Sequence, residues 1–337
     1  PAYRAKQIWQ GLYQHLYDAP SQFTSLPKPL RERMAAEFNF SPFKIKACLD
    51  SPDGFTRKTL FELADGNLIE AVLMRYGDPA DDHTLNVKRS TSRRTLCIST
   101  QAGCAMGCVF CATGQMGFKR NLSSGEIVAQ VIHYAQTLKA ADEVVSNVVL
   151  MGMGEPFHNY ENVMAAIDRL NDPDGYKFGA RRFTVSTVGL VPQIRRFADE
   201  GRQVNLAISL HAATDAERLG IMPVNKKYNI GEVIEACKYY VEKTHRRVTF
   251  EWALIKGVND SPETARQLAA LLKGMLCHVN AIPLNPTKGY SGAATDRQRA
   301  ALFKKTLEQA GVGCTIRMRR GVDIQAGCGQ LAGGVSL

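Results

Sequence analysis

The stretch Leu96-Cys97-Ile98-Ser99-Thr100-Gln101-Ala102-Gly103-Cys104-Ala105-Met106-Gly107-Cys108-Val109-Phe110-Cys111 decides the architecture. It opens as a short β-rich run and ends in a glycine-punctuated polar loop carrying cysteines at C-x3-C-x2-C spacing. Working outward, similar runs recur at Asn147–Met151, Phe183–Ser186, Val204–Leu210, Val248–Ile255 and His278–Pro283, separated by stretches with helical periodicity. That alternation predicts βα units around a parallel sheet. Six such runs predict an α/β fold built on a partial (β/α)6 barrel, with its site at the carboxyl ends of the strands. Ser123-Ser-Gly-Glu126 reads as a capping box opening the helix after the cysteine loop.

Upstream the pattern differs. Residues 1–43 read as a helical accessory module, with Ile8, Trp9, Leu12 and Leu16 on one stripe and a second segment from Pro27 and Pro29 through Leu30, Met34 and Phe38. Residues 44–94 form a strand-rich extension containing a hairpin, Thr59–Leu63 and Leu68–Met74, turning at Asp65-Gly66. The barrel is assigned to 95–290, and 291–337 to a C-terminal segment with Cys328 in a Gly-Cys-Gly loop.

Forty-five percent hydrophobic and 22% charged residues describe a globular chain of 337 residues, long enough for a large core. The uncharged stretch from Thr95 to Phe118 is too rich in Ser, Thr, Gln, Gly and Cys to span a membrane. Pro1-Ala-Tyr-Arg-Ala-Lys lacks the apolar core of a signal peptide and reads as a trimmed terminus, so a cytoplasmic protein with no membrane partner is expected. Forty-two basic against 32 acidic residues give a net charge of +10, which favours phosphate-rich partners. Nine cysteines in such a chain point to thiolate or metal chemistry rather than a disulfide framework.

Three closely spaced sulfurs, rather than four, carry the chemical information. A 4Fe-4S cluster held by Cys104, Cys108 and Cys111 leaves one iron open, and that iron can chelate S-adenosylmethionine (SAM) and reduce its sulfonium. A structural zinc site is the alternative, and it needs a fourth ligand, for which Cys97 is nearest in sequence. Read without further help, Cys97 is a small strand-buried hydrophobe, Glu70 a solvent-facing residue of an alternating strand, and His211 a satisfied core histidine. Cys48, Cys237, Cys277 and Cys314 read as packing residues.

The triplet, with an aromatic at Phe110, resembles the radical SAM superfamily. Further strings are similar to its RlmN and Cfr adenosine methyltransferases: Gln101-Ala-Gly-Cys104, Gly117-Phe-Lys-Arg-Asn-Leu122, Met151-Gly-Met-Gly-Glu-Pro156, Thr184-Val-Ser-Thr-Val-Gly189, Ile208-Ser-Leu-His-Ala212, Cys328-Gly-Gln-Leu331 and the opening Tyr3-Arg-Ala-Lys-Gln-Ile-Trp9. The resemblance covers nearly the whole chain and implies methylation of an adenosine in 23S ribosomal RNA and in transfer RNA. It implies two SAM molecules per turnover and an external, flavodoxin-like electron donor.

By the same resemblance Cys328 accepts a methyl group from one SAM, and the 5'-deoxyadenosyl radical from a second takes hydrogen from that S-methyl. The methylene radical then adds to the electron-poor base carbon. Glu70 removes a proton from the covalent adduct, and Cys97 releases the product by forming a disulfide with Cys328. Gly154 and Glu155 are expected at the methionyl ammonium, a carboxylate to pair with it and a glycine to permit close approach. Ser186, Ser209, Leu210, His211 and Asn285 match the remaining SAM contacts. Lys119, Arg120, Arg181, Arg182, Arg317, Arg319 and Arg320 form a basic group expected to grip RNA phosphates around an extruded base.

The match is imperfect at Gln325 and Gly327, where the family more often has an acidic residue and a second alanine. The N-terminal string and Asn285-Pro-Thr-Lys-Gly289 favour C2 methylation over the C8 methylation of Cfr. Two rivals remain at this stage: a radical SAM enzyme for a small molecule or peptide, and a non-enzymatic RNA-binding protein with a zinc-stiffened loop.

Overall fold

The computed structural model describes residues 2–77 and 93–334; the end of the expected strand-rich extension, residues 78–92, lies outside them. Strands β1 (Phe43–Asp50), β2 (Thr56–Leu63), β3 (Leu68–Tyr76), β4 (Arg93–Cys97), β7 (Asn147–Leu150), β8 (Phe183–Thr187), β9 (Asn205–Ser209), β10 (Val248–Leu254), β11 (Cys277–Pro283) and β12 (Cys314–Ile316) follow one another in a single ten-stranded sheet. A separate antiparallel ribbon joins β5 (Gln101–Gly103) to β6 (Phe118–Asn121).

From β4 through β12 each strand pairs parallel with the next. The six expected barrel runs are all present, and β12 extends them by one short parallel strand. The predicted hairpin forms as β2 and β3, with Leu60 opposite Glu70. It continues the barrel sheet, because β3 pairs antiparallel with β4 and sets Val72 opposite Cys97. Successive residues face opposite sides of a strand. On β10, Phe250, Trp252 and Leu254 are fully buried against the helical layer. The alternate residues Thr249, Glu251 and Ala253 therefore face the interior. In this register Lys58, Val72 and Cys97 form one interior-facing row across β2, β3 and β4.

The outer layer holds the core. Trp252 stacks obliquely on Phe303 and its indole N–H donates to the Asn259 carbonyl at 3.2 Å. Truncating such a side chain typically costs about 3–5 kcal/mol. The helix Ser124–Lys139 begins as expected: Ser123 accepts the Glu126 amide at 3.2 Å and Glu126 accepts the Ser123 amide at 2.8 Å.

The N-terminal residues build a satellite core of Phe23, Leu26 and Met34, lined by Ile8, Leu12, Tyr17, Leu30 and Phe40. Gly11 is required there, since a Cβ would lie 2.2 Å from Phe23 Cε1. Three residues of the expected stripes fall elsewhere. Trp9 lies against the Tyr13 ring at 4.4 Å, outside this cluster. The first helix stops at Tyr13, so Leu16 lies beyond it at φ +60° and packs on the main core. Phe38 follows the second helix and is 64% exposed, its apolar place taken by Phe40.

Candidate active site

The cysteine loop runs from β5 into the short helix Ala112–Gln115. Its turn depends on Gly103, whose φ is +71° and whose Cβ, if present, would stand 1.9 Å from the Gly117 carbonyl oxygen. The Cys104 amide donates to that same carbonyl at 3.0 Å, and the Cys111 amide to the Cys108 carbonyl at 3.1 Å. Beneath the loop Cys108 and Phe110 pack on Ala212, Ile221, Met222, Ala253, Ile255 and Leu284, which fixes its depth.

Burial pushes the Cys104 thiol up to about 12 and raises Cys108 well above the ordinary thiol range, with the neighbouring thiols and Glu155 adding to both. Such sulfurs ionise only against a cationic centre. Among the described residues no three His, Cys, Asp or Glu side chains converge as a single ion requires. Three thiols spread along one loop suit a cluster that bonds each sulfur to a different iron.

Cys328 reaches the same place from the far end of the chain. The Ala112 amide donates to the Gly329 carbonyl at 2.7 Å and the Thr113 hydroxyl to the Leu331 carbonyl at 2.6 Å. Across the loop, Asn285 Nδ2 donates to the Cys328 carbonyl at 3.0 Å and Gln330 Nε2 to the Pro286 carbonyl at 3.0 Å. Cys328 is exposed to water, yet protein surrounds it closely enough to push its thiol up to about 12. The loop thus keeps the residue in contact with water while protein crowds its sulfur. After burial, the groups raising it are Cys97, Glu251 and Cys111, so the loop brings Cys328 within electrostatic reach of both Cys97 and the cysteine triplet. Burial likewise raises the Cys97 thiol to about 12.

The departures from the family pattern have local consequences. Gln325 adopts φ +53°, and a Cβ on Gly327 would lie 2.6 Å from Asn285 Nδ2. Here glycine lets Asn285 approach the loop.

Glu70 is fully buried, which overturns its solvent-facing reading: the C-terminal segment covers its side of the sheet. Its Oε2 accepts the amides of Ala332 at 2.8 Å and Gly333 at 3.2 Å, and Lys58 Nζ lies 2.9 Å from Oε1.

The residues expected at SAM gather at the strand ends. Glu155 Oε1 accepts the Phe157 amide at 3.0 Å and Oε2 the Val188 amide at 2.9 Å, so it caps the turn Pro156–Asn159 and ties two strand ends together. Burial outweighs those donors and raises its carboxyl to about 7. At Gly154, φ +104°, a Cβ would meet Gln101 Cβ at 2.5 Å. The close approach this glycine permits is therefore to Gln101 of β5.

Ser186 and Ser209 hydroxyls lie 3.4 Å apart on adjacent strands. Leu210 is fully buried, its amide on the Glu251 carbonyl at 3.2 Å. His211 is held at φ +61°, with Nδ1 accepting the Ala253 amide at 2.9 Å and the Phe110 ring edge-on at 5.0 Å. Burial, then the Arg218 charge, pushes it down to about 3, so it is neutral with its proton on Nε2. Among the described residues Asn285 Oδ1 is buried with no partner. An unpaired buried acceptor costs about 1–3 kcal/mol. It fits a ligand that brings N–H donors, as the adenine amino group or the ammonium of SAM would.

Of the basic group, Arg120 is a strut rather than a free cation. It pairs with Asp65 at the hairpin turn and with Glu126 at 2.9 Å. Arg320 lies over the Phe55 and Tyr76 rings, and Arg317 Nε donates to Asn280 Oδ1 at 2.8 Å. Lys119 and Arg319 are exposed. Cys237 and Cys314 are buried as expected, Cys277 is half-buried, and Cys48 is exposed because β1 is the sheet's edge.

Sequence reading missed Glu251, a buried carboxylate whose Oε2 accepts Asn280 Nδ2 at 2.7 Å and whose carboxyl burial raises to about 7. A lone acidic residue in the otherwise apolar run Val248–Ile255 was the available signal. Lys58 was missed as well, and nothing in its local pattern marks it.

Residues 98–269 match the radical SAM superfamily. Over 329 residues the chain is 48% identical to the dual-specificity RNA methyltransferase RlmN 1 of Myxococcus xanthus, covering 98% of this chain and 88% of that one. The crystal structure of a radical SAM methyltransferase from Sphaerobacter thermophilus superposes with a TM-score of 0.92 at 48% identity, covering 99% of this chain and 94% of that chain. Likeness of this extent, over a cysteine triplet and a C-terminal cysteine loop brought together at one barrel mouth, makes the chain a radical SAM enzyme of the RlmN methyltransferase family.

Proposed function

We propose that the enzyme methylates C2 of an adenosine in 23S ribosomal RNA and in transfer RNA, with Cys328 as methyl carrier. The observation that carries the reading is the pinning of the Cys328 loop against the helix that starts at the cysteine triplet, which puts its sulfur within electrostatic reach of Cys97. Cys104, Cys108 and Cys111 would hold a 4Fe-4S cluster, which when bound would supply the one-electron cleavage of the SAM sulfonium. Gly154, Glu155, Ser186, Ser209, Leu210, His211 and Asn285 orient SAM, two molecules being consumed per turnover.

The remaining steps belong to the chain's own groups. The Cys328 sulfur takes a methyl group and delivers its carbon to the base, so a C–S bond persists in the adduct. Glu70 accepts the proton lost from C2. Cys97 sulfur then attacks Cys328 sulfur, forming the S–S bond as the S–C bond breaks; the electron pair of that bond passes to the product carbon, which takes a proton to complete its methyl group, and an external thiol reductant returns the disulfide to two thiols with two electrons and two protons. A flavodoxin-like donor supplies the single electron for SAM cleavage. The 1–43 module and exposed Lys119 and Arg319 contribute to holding RNA, in a cytoplasmic setting; among the described residues no helix is long and apolar enough to cross a membrane.

Mass spectrometry of nucleosides from RNA incubated with reconstituted enzyme, SAM and reductant tests the reading. 2-Methyladenosine is the expected product; 8-methyladenosine would move the enzyme to Cfr-type chemistry, and no methylated adenosine would defeat the reading.

A further inference from the structure

Lys58 and Glu70 are a buried ion pair, 4% and 0% exposed, on neighbouring strands of the extension, and both also bind the Cys328 loop. Lys58 Nζ donates to the Gln325 carbonyl at 3.3 Å, three residues before Cys328. Glu70 Oε2 accepts the amides of Ala332 and Gly333, four and five residues after it. One ion pair therefore grips both arms of the loop, while the barrel holds its middle through Ala112, Thr113 and Asn285.

We propose that Lys58 is a positioning residue for this reaction, clamping the Cys328 loop through Gln325 and orienting Glu70 so that Oε2 holds the loop while Oε1 stays against the ammonium. The geometry of the pair supports the division of labour. Lys58 Nζ stands 2.9 Å from Oε1, which among the described residues has no other polar partner. Both charges are shut away from water, so each is the other's compensating partner. A buried ammonium without its carboxylate, or the reverse, is strongly disfavoured, so the two hold each other in place. Lys58 shares its row with Val72 and Cys97, which aligns the clamp with the residue expected to resolve the adduct. The proposal rests on the reading of Cys328 as methyl carrier and assigns Lys58 no contact with the reacting atoms.

The test uses the reconstituted full chain and its Lys58→Met, Lys58→Arg and Lys58→Met/Glu70→Gln variants, the double variant guarding against misfolding from an unpaired buried carboxylate. Hydrogen exchange at Ala332 and Gly333 reads the clamp directly. We expect exchange there to rise by about tenfold or more in Lys58→Met and in the double variant, with barrel amides unchanged. In RNA methylation we expect kcat of Lys58→Met to fall by about tenfold or more at unaltered KM, and Lys58→Arg to recover most of it. Wild-type exchange at these two amides in both Met-bearing variants would overturn the proposal, as would a loss of methylation carried wholly by KM. Faster exchange in an enzyme whose wild type methylates no RNA would leave the clamp standing and remove the functional reading instead.

Discussion

Asn285 donates its side-chain amide to the carbonyl of Cys328 at 3.0 Å while its own oxygen is buried and, among the described residues, unpaired. One side chain thus faces two ways, toward the Cys328 loop and toward the place expected for SAM. Replacing it with Ala removes both roles. SAM affinity, measured by equilibrium dialysis, should weaken by about tenfold, the equivalent of one buried hydrogen bond. Unchanged affinity with slower turnover would confine Asn285 to holding the loop.

Cys328→Ala should abolish RNA methylation while iron content and the visible absorbance of the cluster remain at wild-type level, because the triplet loop draws none of its own backbone geometry from the Cys328 sulfur. Cys97→Ala should instead trap enzyme and RNA as a covalent complex, detected as a shifted band on denaturing gels. Methylated RNA released at the wild-type rate by either variant would contradict the assigned roles.

Gly103→Ala sets a methyl group 1.9 Å from a backbone oxygen at a left-handed residue. Neither neighbour is a flexible side-chain end, so the turn into the triplet must rebuild. Iron incorporation should fall several-fold, with a destabilisation of about 1–3 kcal/mol visible in thermal unfolding.

Glu251 should make stability pH-dependent in a defined direction. Burial raises its carboxyl from the ordinary 4.5 to about 7. The folded state therefore holds a proton that the unfolded state has lost, so the stability it contributes is complete below pH 4.5 and disappears as pH rises through 7. Against Glu251→Gln, the wild type should lose roughly 3 kcal/mol across that window. Denaturant unfolding of both proteins at pH 4.5, 6 and 8 measures it, and parallel curves would show that Glu251 does not carry the effect.

How much was legible beforehand depends on the range of each interaction. The cluster ligands were readable because three of them fall within eight residues, and the βα rhythm because apolar periodicity is local. The capping box at Ser123 and Glu126 was readable for the same reason. That Arg120 joins two elements was not readable, because its partner Asp65 lies 55 residues away.

By itself the sequence determined the six βα runs of the barrel and the hairpin before them, the triplet and the chemistry that three thiolates invite. Only the tertiary structure decided that Glu70 is buried, that Lys58 accompanies it, and that both close on a loop more than 260 residues downstream. The physical reason is register. A strand presents alternate residues to opposite faces, and pairing β2, β3 and β4 one residue out of step would turn Lys58, Glu70 and Cys97 away from the site. That choice depends on the packing of the whole sheet, which no short stretch of chain contains.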